Sequence, residues 1–383
     1  MNPLLFDASR LIGRRFRRRL PTGIDRVCIE YVRKYGDRAL AVVQKGRCSV
    51  VLDATASRRL FKLLLDAPVD FRRRLVTLAL GTIARGGFET PVRGSVLMNI
   101  GHSGLESPHY TRWIKAHGLR PIYMVHDLIP MTHPEFCRAN EAERHTARMR
   151  TVLATAAGIL TNSAFTQQEL ARFAERSGLA LPQTLSAPLA PATLARTGDR
   201  PLAEPYFVML GTIEPRKNHA LLLDVWRTLV ARHGDRAPRL VVIGQRGWAC
   251  EEVWDALDRD LVLKPYVLEC SSCSDAELAA YLRHAQALLF PSLVEGYGLP
   301  LAEALTLGVP ALASDLPVFR EIAGLIPDYV ASTDRNEWLA RVEDFGASTS
   351  RARGAQLRRL AAFKPPTWDG HFAQVDQLLG QFC

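Results

Sequence analysis

The chain has 383 residues, 48% hydrophobic and 23% charged, which is the balance of a globular protein with a sizeable core and room for two or three domains. No run of 18 or more apolar residues occurs, which excludes a membrane-spanning helix, and the start MNPLLFDASRL lacks the pattern of a secretory signal, so a cytoplasmic location is expected. Net charge is +10, from 49 Lys+Arg against 39 Asp+Glu, with the excess concentrated early in the chain.

Leu4-Leu5-Phe6 reads as a strand. Arg10, Arg14, Arg15, Arg17, Arg18, Arg19 and Arg26 then crowd the first thirty residues and are expected in a basic loop. Such a loop is either a solvated face or a patch for phosphates: anionic lipid headgroups or a lipid-diphosphate acceptor. Only Phe16 interleaves the run, so no stacking platform for a single-stranded nucleic acid is expected, and nucleic acid is not an expected partner. Thr22-Gly23-Ile24-Asp25-Arg26 opens a helix over 23–35, with Ile24, Val27, Cys28, Tyr31 and Val32 on one face. Strands follow at 39–43, 49–52, 96–100 and 121–125, the last two ending near His102 and at His126. A helix over 141–156 and a strand over 158–161 complete this half.

From 178 to 205 the chain carries Pro182, Pro188, Pro191, Pro201 and Pro205, which reads as a linker. A second series follows: a strand at 206–211, a helix at 219–232, a strand at 240–243, a helix at 275–284, a strand at 287–290 and a helix from 301 stopped by Gly308. A last helical segment lies behind Pro365-Pro366. Strands alternating with helices predict parallel sheets. Two series across a linker predict an α/β protein of two doubly wound, Rossmann-like domains facing across a cleft, with ligands at the carboxyl ends of the strands. The expected division is 1–200, 201–365, and a C-terminal helix over 366–383, with a crossing back to the first domain as one arrangement open to it. Seven cysteines, odd in number and scattered, give no disulfide framework, and Cys270-Ser-Ser-Cys273 lacks the second pair that a zinc site needs, so no metal is expected.

Two loops carry the chemistry. Gly211-Thr212-Ile213-Glu214-Pro215-Arg216-Lys217-Asn218 follows the first strand of the second half and sets a planar cationic fork beside a point charge, which suits a diphosphate. Glu295-Gly296-Tyr297-Gly298-Leu299 follows another strand of that half and opens a helix bearing Glu303. A helix start offers unpaired N–H groups to phosphate, and the two glutamates can grip hydroxyls, so the pair of loops describes a sugar-nucleotide site. In the first half, His126-Asp127, His102 and Asn162-Ser163 all follow strands, as Asp7 does; Ser163 reads either as a helix cap or as part of the site.

Glu295-x7-Glu303, 211–218, His126-Asp127 and Asn162-Ser163 together resemble family 4 of the retaining glycosyltransferases, strongly from Tyr123 onward and weakly over the first hundred residues. The resemblance implies the glycosyltransferase B fold, with the nucleotide diphosphate held by the second domain. It implies that Gly211, Thr212, Arg216, Lys217, Gly296, Tyr297, Gly298 and Leu299 bind the donor, with Arg216 and Lys217 neutralising the diphosphate in place of a metal. Glu295 is then expected on sugar hydroxyls, Glu303 on the ribose and His126 near the reacting centre. Gly23, His102, Asp127, Asn162 and Ser163 fall on the acceptor side. Many members have a glycine-rich loop directly after the first strand; here the arginine run and Pro21-Thr22-Gly23 stand in its place.

The reading is a retaining hexosyltransferase. It is expected to move mannose from GDP-mannose onto a growing surface or capsular polysaccharide or a lipid-linked glycan, with no cofactor beyond the nucleotide-sugar co-substrate. Its expected partners are that donor, a glycan or polyprenyl-diphosphate-linked acceptor, and an anionic membrane surface on the inner face of the cytoplasmic membrane. Its rivals are a phosphorylase or epimerase of the same fold, and a non-catalytic basic protein that binds membranes or nucleic acid.

Overall fold

In a computed structural model, which describes residues 3–195 and 197–382, the chain forms two compact units. The first comprises Met1–Met131, Ala139–Leu189 and Asp369–Cys383; the second comprises Thr132–Arg138 and Ala190–Trp368. Of the breaks between them, the one after Leu189 falls inside the proline-rich stretch.

The first unit runs β1 (Leu4–Asp7), α1 (Ser9–Phe16), α2 (Gly23–Tyr35), β2 (Ala39–Lys45), β3 (Cys48–Leu52), α3 (Ala54–Asp66), α4 (Phe71–Ala84), β4 (Phe88–Glu89), β5 (Val96–Asn99), α5 (Pro108–Ala116), β6 (Arg120–Val125), α6 (Ile129–Thr132), α7 (Glu141–Thr155), β7 (Gly158–Thr161), α8 (Ala164–Arg176) and β8 (Thr184–Ser186). Its eight strands are ordered β4-β3-β2-β1-β5-β6-β7-β8, parallel except where β3 meets β2 and β4. Strands β1, β5 and β7 are buried along their whole length, as in sheets covered by helices on both faces. Leu5, Leu97, Tyr123 and Ile159 share one core with Met149 of α7 and Leu170 of α8.

The arginine run is not a loop over its whole length: residues 9–16 form α1. Asp7 accepts the Ser9 N–H at 2.9 Å, and Leu11 is buried. Arg10 and Arg14, one turn apart, both reach Asp25, at 2.7 and 3.0 Å. Asp25 in turn accepts the Thr22 N–H at 2.8 Å, closing a capping box at the start of α2. Burial alone would raise the Asp25 pKa, but Arg10 and the Thr22 bonds outweigh it and the pKa is lowered. One carboxylate therefore starts α2 and pins α1. The expected linker over 178–205 is also partly regular. Thr184–Ser186 adds β8 to the sheet edge, Ile159 pairing with Thr184, where the flanking prolines cost no ladder bond.

The second unit runs β9 (Tyr206–Leu210), α9 (His219–His233), β10 (Arg239–Ile243), α10 (Glu251–Arg259), β11 (Val267–Cys270), α11 (Asp275–His284), β12 (Leu288–Phe290), α12 (Leu299–Thr306), β13 (Ala311–Ser314), α13 (Pro317–Ala323), β14 (Asp328–Val330), α14 (Arg335–Gly346) and α15 (Arg351–Leu360). Its six strands are all parallel, in the order β11-β10-β9-β12-β13-β14. Phe207, Trp226, Leu240, Leu289 and Trp338 centre its core. Cys270 and Cys273 are free thiols, and burial pushes Cys273 up to about 11.

The last helix, α16 (Trp368–Leu379), packs its Phe372 ring on Tyr31 and Tyr35 of α2, at 5.1 and 5.5 Å between centroids. His371 faces the Ala187 and Pro188 carbonyls through Nδ1, each at 3.1 Å, and accepts from the Tyr31 hydroxyl at Nε2, 2.8 Å away. Burial outweighs these bonds and holds His371 down at about 4, so it is neutral. Among the described residues, no helix is long and apolar enough to cross a membrane.

Candidate active site

In the second unit the strand order reverses between β9 and β12, which are neighbours although far apart in sequence. Loops leaving the carboxyl ends of two such strands diverge and leave a crevice, the usual ligand position in open parallel sheets. The two motif loops are the ones that leave there. Gly211 ends β9 at φ +148, a conformation that side chains rarely adopt, and the Lys217 side chain passes 3.2 Å from where a Cβ would stand. Residues 215–217 make one tight turn, and Asn218 at φ +61 starts α9. Its side-chain amide donates to the Ser332 carbonyl at 2.9 Å and the Pro291 carbonyl at 3.3 Å. The Leu293 N–H donates to the Arg216 carbonyl at 2.8 Å, so the loops are stitched together.

A charged cluster sits on this frame. The Lys217 ammonium donates to Glu295 Oε1, which also accepts the Ser292 hydroxyl at 2.8 Å. Arg216 donates to Glu295 Oε2 at 2.6 Å, and its other terminal nitrogen lies 2.5 Å from Glu214. Lys217, Glu295 and Glu214 are buried, while Arg216 is half-buried. Burial alone would raise the Glu295 carboxyl, yet Arg216 and Lys217 outweigh it and hold the pKa at about 2. Burial pulls Lys217 below the usual lysine range against the pull of Glu295. Burial likewise raises Glu214, which has a second carboxylate, Glu295, near its cations. His219, the first residue of α9, is buried with neither ring nitrogen bonded; burial and then Lys217 push it to about 3.

The glycine turn closes the other side. Gly298 stands at φ +127, and a Cβ there would lie 2.8 Å from the Phe319 ring, so the turn into α12 requires glycine. Tyr297 and Glu303 are buried; Thr212, Gly296 and Leu299 are half-buried. The structure thus brings Gly211, Arg216, Lys217 and Glu295 together at one strand-end crevice, with Gly298 leading into α12. The Glu295 carboxylate, expected on sugar hydroxyls, is bonded here to Lys217, Arg216 and Ser292. Glu214, Ser292 and His219 belong to the same cluster. Their signal lay in the motif loops, where Glu214 and His219 flank the cations and Ser292 precedes Glu295.

The first unit gathers a different set. His126, at the end of β6, is buried, and its Nε2 lies 2.8 Å from the Ile100 carbonyl. His102, at φ +60, points Nε2 to the Met124 carbonyl. His145 of α7 meets the Asp127 carbonyl at 3.1 Å, and its ring centre lies 6.0 Å from that of His102. Burial lowers all three, His126 to about 4, so these imidazoles are neutral. Asp127 turns its own chain by accepting the Ile129 N–H at 3.1 Å. Asn162 donates to the His126 carbonyl at 2.8 Å, and Ser163 caps α8 by accepting the Thr166 N–H at 3.0 Å. Both are buried: Asn162 holds the His126 loop, and Ser163 holds the start of α8. Gly23 is exposed at the start of α2, and Arg10 ties that turn to the histidine loops, donating to Asp25 at 2.7 Å, Thr22 at 3.3 Å and the Gly101 carbonyl at 3.5 Å. Among the described residues, no group of three or more His, Cys, Asp or Glu is placed to hold a metal ion.

Two doubly wound α/β units with a crevice at the β9/β12 reversal define the glycosyltransferase B fold. The whole chain is similar in structure to Anabaena HepE, solved with UDP and glucose, with a TM-score of 0.68 over 100% of both chains at 14% identity. It is also similar to the sucrose-phosphate synthase of Thermosynechococcus elongatus, with a TM-score of 0.62 over 100% of this chain and 99% of that one at 16% identity. Residues 194–326 match the family model Glycosyl transferases group 1, so the second unit carries a domain of that family. Among curated proteins the chain is 30% identical over 259 residues to the serotype-specific mannosyltransferase WbdA of Escherichia coli, covering 60% of this chain. The aligned part spans only 31% of the length of WbdA. It is 29% identical to the O-antigen chain mannosyltransferase B of Escherichia coli, covering 67% of this chain and 69% of that protein.

Proposed function

We propose that the protein is a retaining mannosyltransferase that takes mannose from GDP-mannose and adds it to a growing surface polysaccharide or lipid-linked glycan. The observation that carries the reading is the convergence of Arg216, Lys217 and Glu295 at the β9/β12 reversal, beside a glycine turn that opens α12. The group 1 domain and the mannosyltransferase relatives support transfer over the phosphorylase or epimerase alternative.

In this reading the bond between the anomeric carbon and the diphosphate oxygen breaks, and the electron pair leaves on that oxygen. The acceptor hydroxyl forms its bond on the same face of the sugar, and its proton passes to the leaving phosphate. Charge therefore builds on the diphosphate as the sugar becomes cationic, and fixed positive groups stabilise that state more than the ground state. Arg216, the more exposed cation, meets the diphosphate. Lys217 stands behind it, oriented by Glu295. The N–H groups from Gly296 to Leu299 add to the field, as helix starts do for phosphate. Glu295 Oε1 accepts two bonds and Oε2 one, so Oε2 retains an acceptor site for a sugar hydroxyl. Glu303, on the first turns of α12, is assigned the ribose. The two cations supply the charge neutralisation for which other transferases use a metal, so turnover is expected to persist in chelator.

The test is a panel of nucleotide sugars offered with and without a polyprenyl-diphosphate-linked glycan, with nucleotide release and the anomeric configuration of the product as readouts. Selective release from GDP-mannose with an α-linked product supports the reading. Transfer from another donor would overturn the mannose assignment, and a β-linked product would overturn retention.

A further inference from the structure

We propose that the face formed by α4 and the end of α1 is a docking surface for an anionic lipid bilayer. The helix α4 is anchored on one side only. Phe71 and Thr82 are buried, whereas Val76, Leu80 and Ile83 are 50%, 62% and 62% exposed. These three recur at the i, i+4, i+7 spacing of one helix face, and Val69, 97% exposed, extends the line beyond the N-terminus. Single exposed apolar residues are ordinary on a protein surface; a line of them along one helix marks an interaction site.

The charges beside this line select the partner. Arg73 lies on the same outward face, and Arg17, Arg18 and Arg19 are exposed at the end of α1. None of these four forms an ion pair among the described residues, whereas Arg74 is occupied by Asp70 at 2.8 Å. The two helices are joined at this end: Arg72 donates to the Phe16 carbonyl at 2.5 Å and lies over the Phe16 ring at 5.1 Å. Phe16 and Leu20, each 44% exposed, continue the apolar surface toward the arginines. An apolar helix face rimmed by unpaired arginines matches the boundary between acyl chains and anionic headgroups. A second copy of this chain would place the same arginines against themselves. A nucleic acid would leave the apolar line without a partner.

The inference deepens the proposed transfer to a lipid-linked glycan, because it gives the enzyme a means of reaching a membrane-bound acceptor. It is tested without donor, using the full chain and vesicles of phosphatidylglycerol with phosphatidylcholine, against phosphatidylcholine alone. The wild-type protein is expected to sediment with the anionic vesicles and to be released by salt. V76S/L80S/I83S removes apolar surface at exposed positions and is expected to weaken binding at least about tenfold. R17S/R18S/R19S/R73S should lose roughly fivefold per arginine and most of the salt dependence. Both variants keep the Arg216–Lys217–Glu295 cluster, so nucleotide release from GDP-mannose, measured separately without vesicles or lipid-linked acceptor, should be unchanged and also reports that they fold. Wild-type protein that ignores anionic vesicles would overturn the proposal while leaving the transfer reading intact. Unaltered vesicle binding by V76S/L80S/I83S would also overturn it, as would loss of a self-associated form with no loss of vesicle binding.

Discussion

Asp7 and Glu295 are both carboxylates buried at the carboxyl end of a parallel strand beside a reversal of strand order, yet their environments push them in opposite directions. Asp7 receives only neutral donors: the Ser9 N–H, the Gln44 amide and the Tyr110 hydroxyl, the last at 2.8 Å. Burial wins over these bonds, and its pKa is raised. Glu295 receives two cations, and they win over burial, holding it at about 2. The same place in the same architecture thus yields a carboxyl with a raised pKa in one unit and a fixed ion cluster in the other. The histidines extend the contrast, since His102 and His126 rest on backbone carbonyls and stay neutral. Charge at the strand ends is set by the partners the loops bring, not by depth of burial.

Glu295→Gln should break this contrast most severely. It leaves Lys217 buried without its hydrogen-bonded counter-charge, Glu214 alone remaining near it, and loss of one partner from such a pair costs about 3–5 kcal/mol. Urea unfolding of the variant measures it; a change below about 1 kcal/mol would mean that the pair is solvated. Arg216→Ala and Lys217→Ala should each lower donor turnover about 10²–10³-fold, the usual scale for one group aimed at developing charge. Full activity in both would remove the diphosphate role from the cluster.

Acid titration sharpens the comparison. The folded pKa of Glu295 is depressed, so its contribution to stability is present above about pH 4.5 and is lost as pH falls toward 2. His126, held neutral to about 4, loses its contribution earlier, as pH falls from about 6.5 toward 4. Asp7 carries the opposite sign: its raised pKa favours the fold at low pH, and that benefit is lost as pH rises through the folded value. Urea midpoints should therefore begin to fall below pH 6.5, and the Glu295→Gln variant should lack the further fall below 4.5. Asp7→Asn should have the smallest effect, about 1 kcal/mol, because an amide can reorient among neutral donors. A loss as large as that of Glu295→Gln would show that Asp7 is ionised and essential.

Much of the frame was legible because it is periodic. The helix expected over 23–35 and the one over 275–284 appear with those limits, since each pairs an apolar face with a capping signal at its start. α1 was hidden because Leu11 is its only buried apolar residue, and the helix is held instead by the reach of Arg10 and Arg14 to Asp25. α4 was hidden for the opposite reason: its apolar residues cover the outside as well as the inside, so no one-sided pattern shows. The motif loops were legible as motifs. Their internal bonding was not, because Glu295 finds Lys217 seventy-eight residues away only once β9 and β12 are neighbours. The bond from Asn162 to the His126 carbonyl likewise depends on where that loop lies, which no local pattern encodes, whereas the cap at Ser163 was legible as a local signal.

The most direct test of the central claim is release of GDP from GDP-mannose by the wild-type protein and by Lys217→Ala, supplied with a lipid-linked acceptor and with folding of both checked by urea unfolding. Release by the wild-type protein, reduced at least about 10²-fold in a folded variant, is the predicted result. Equal release by the two proteins would contradict the account.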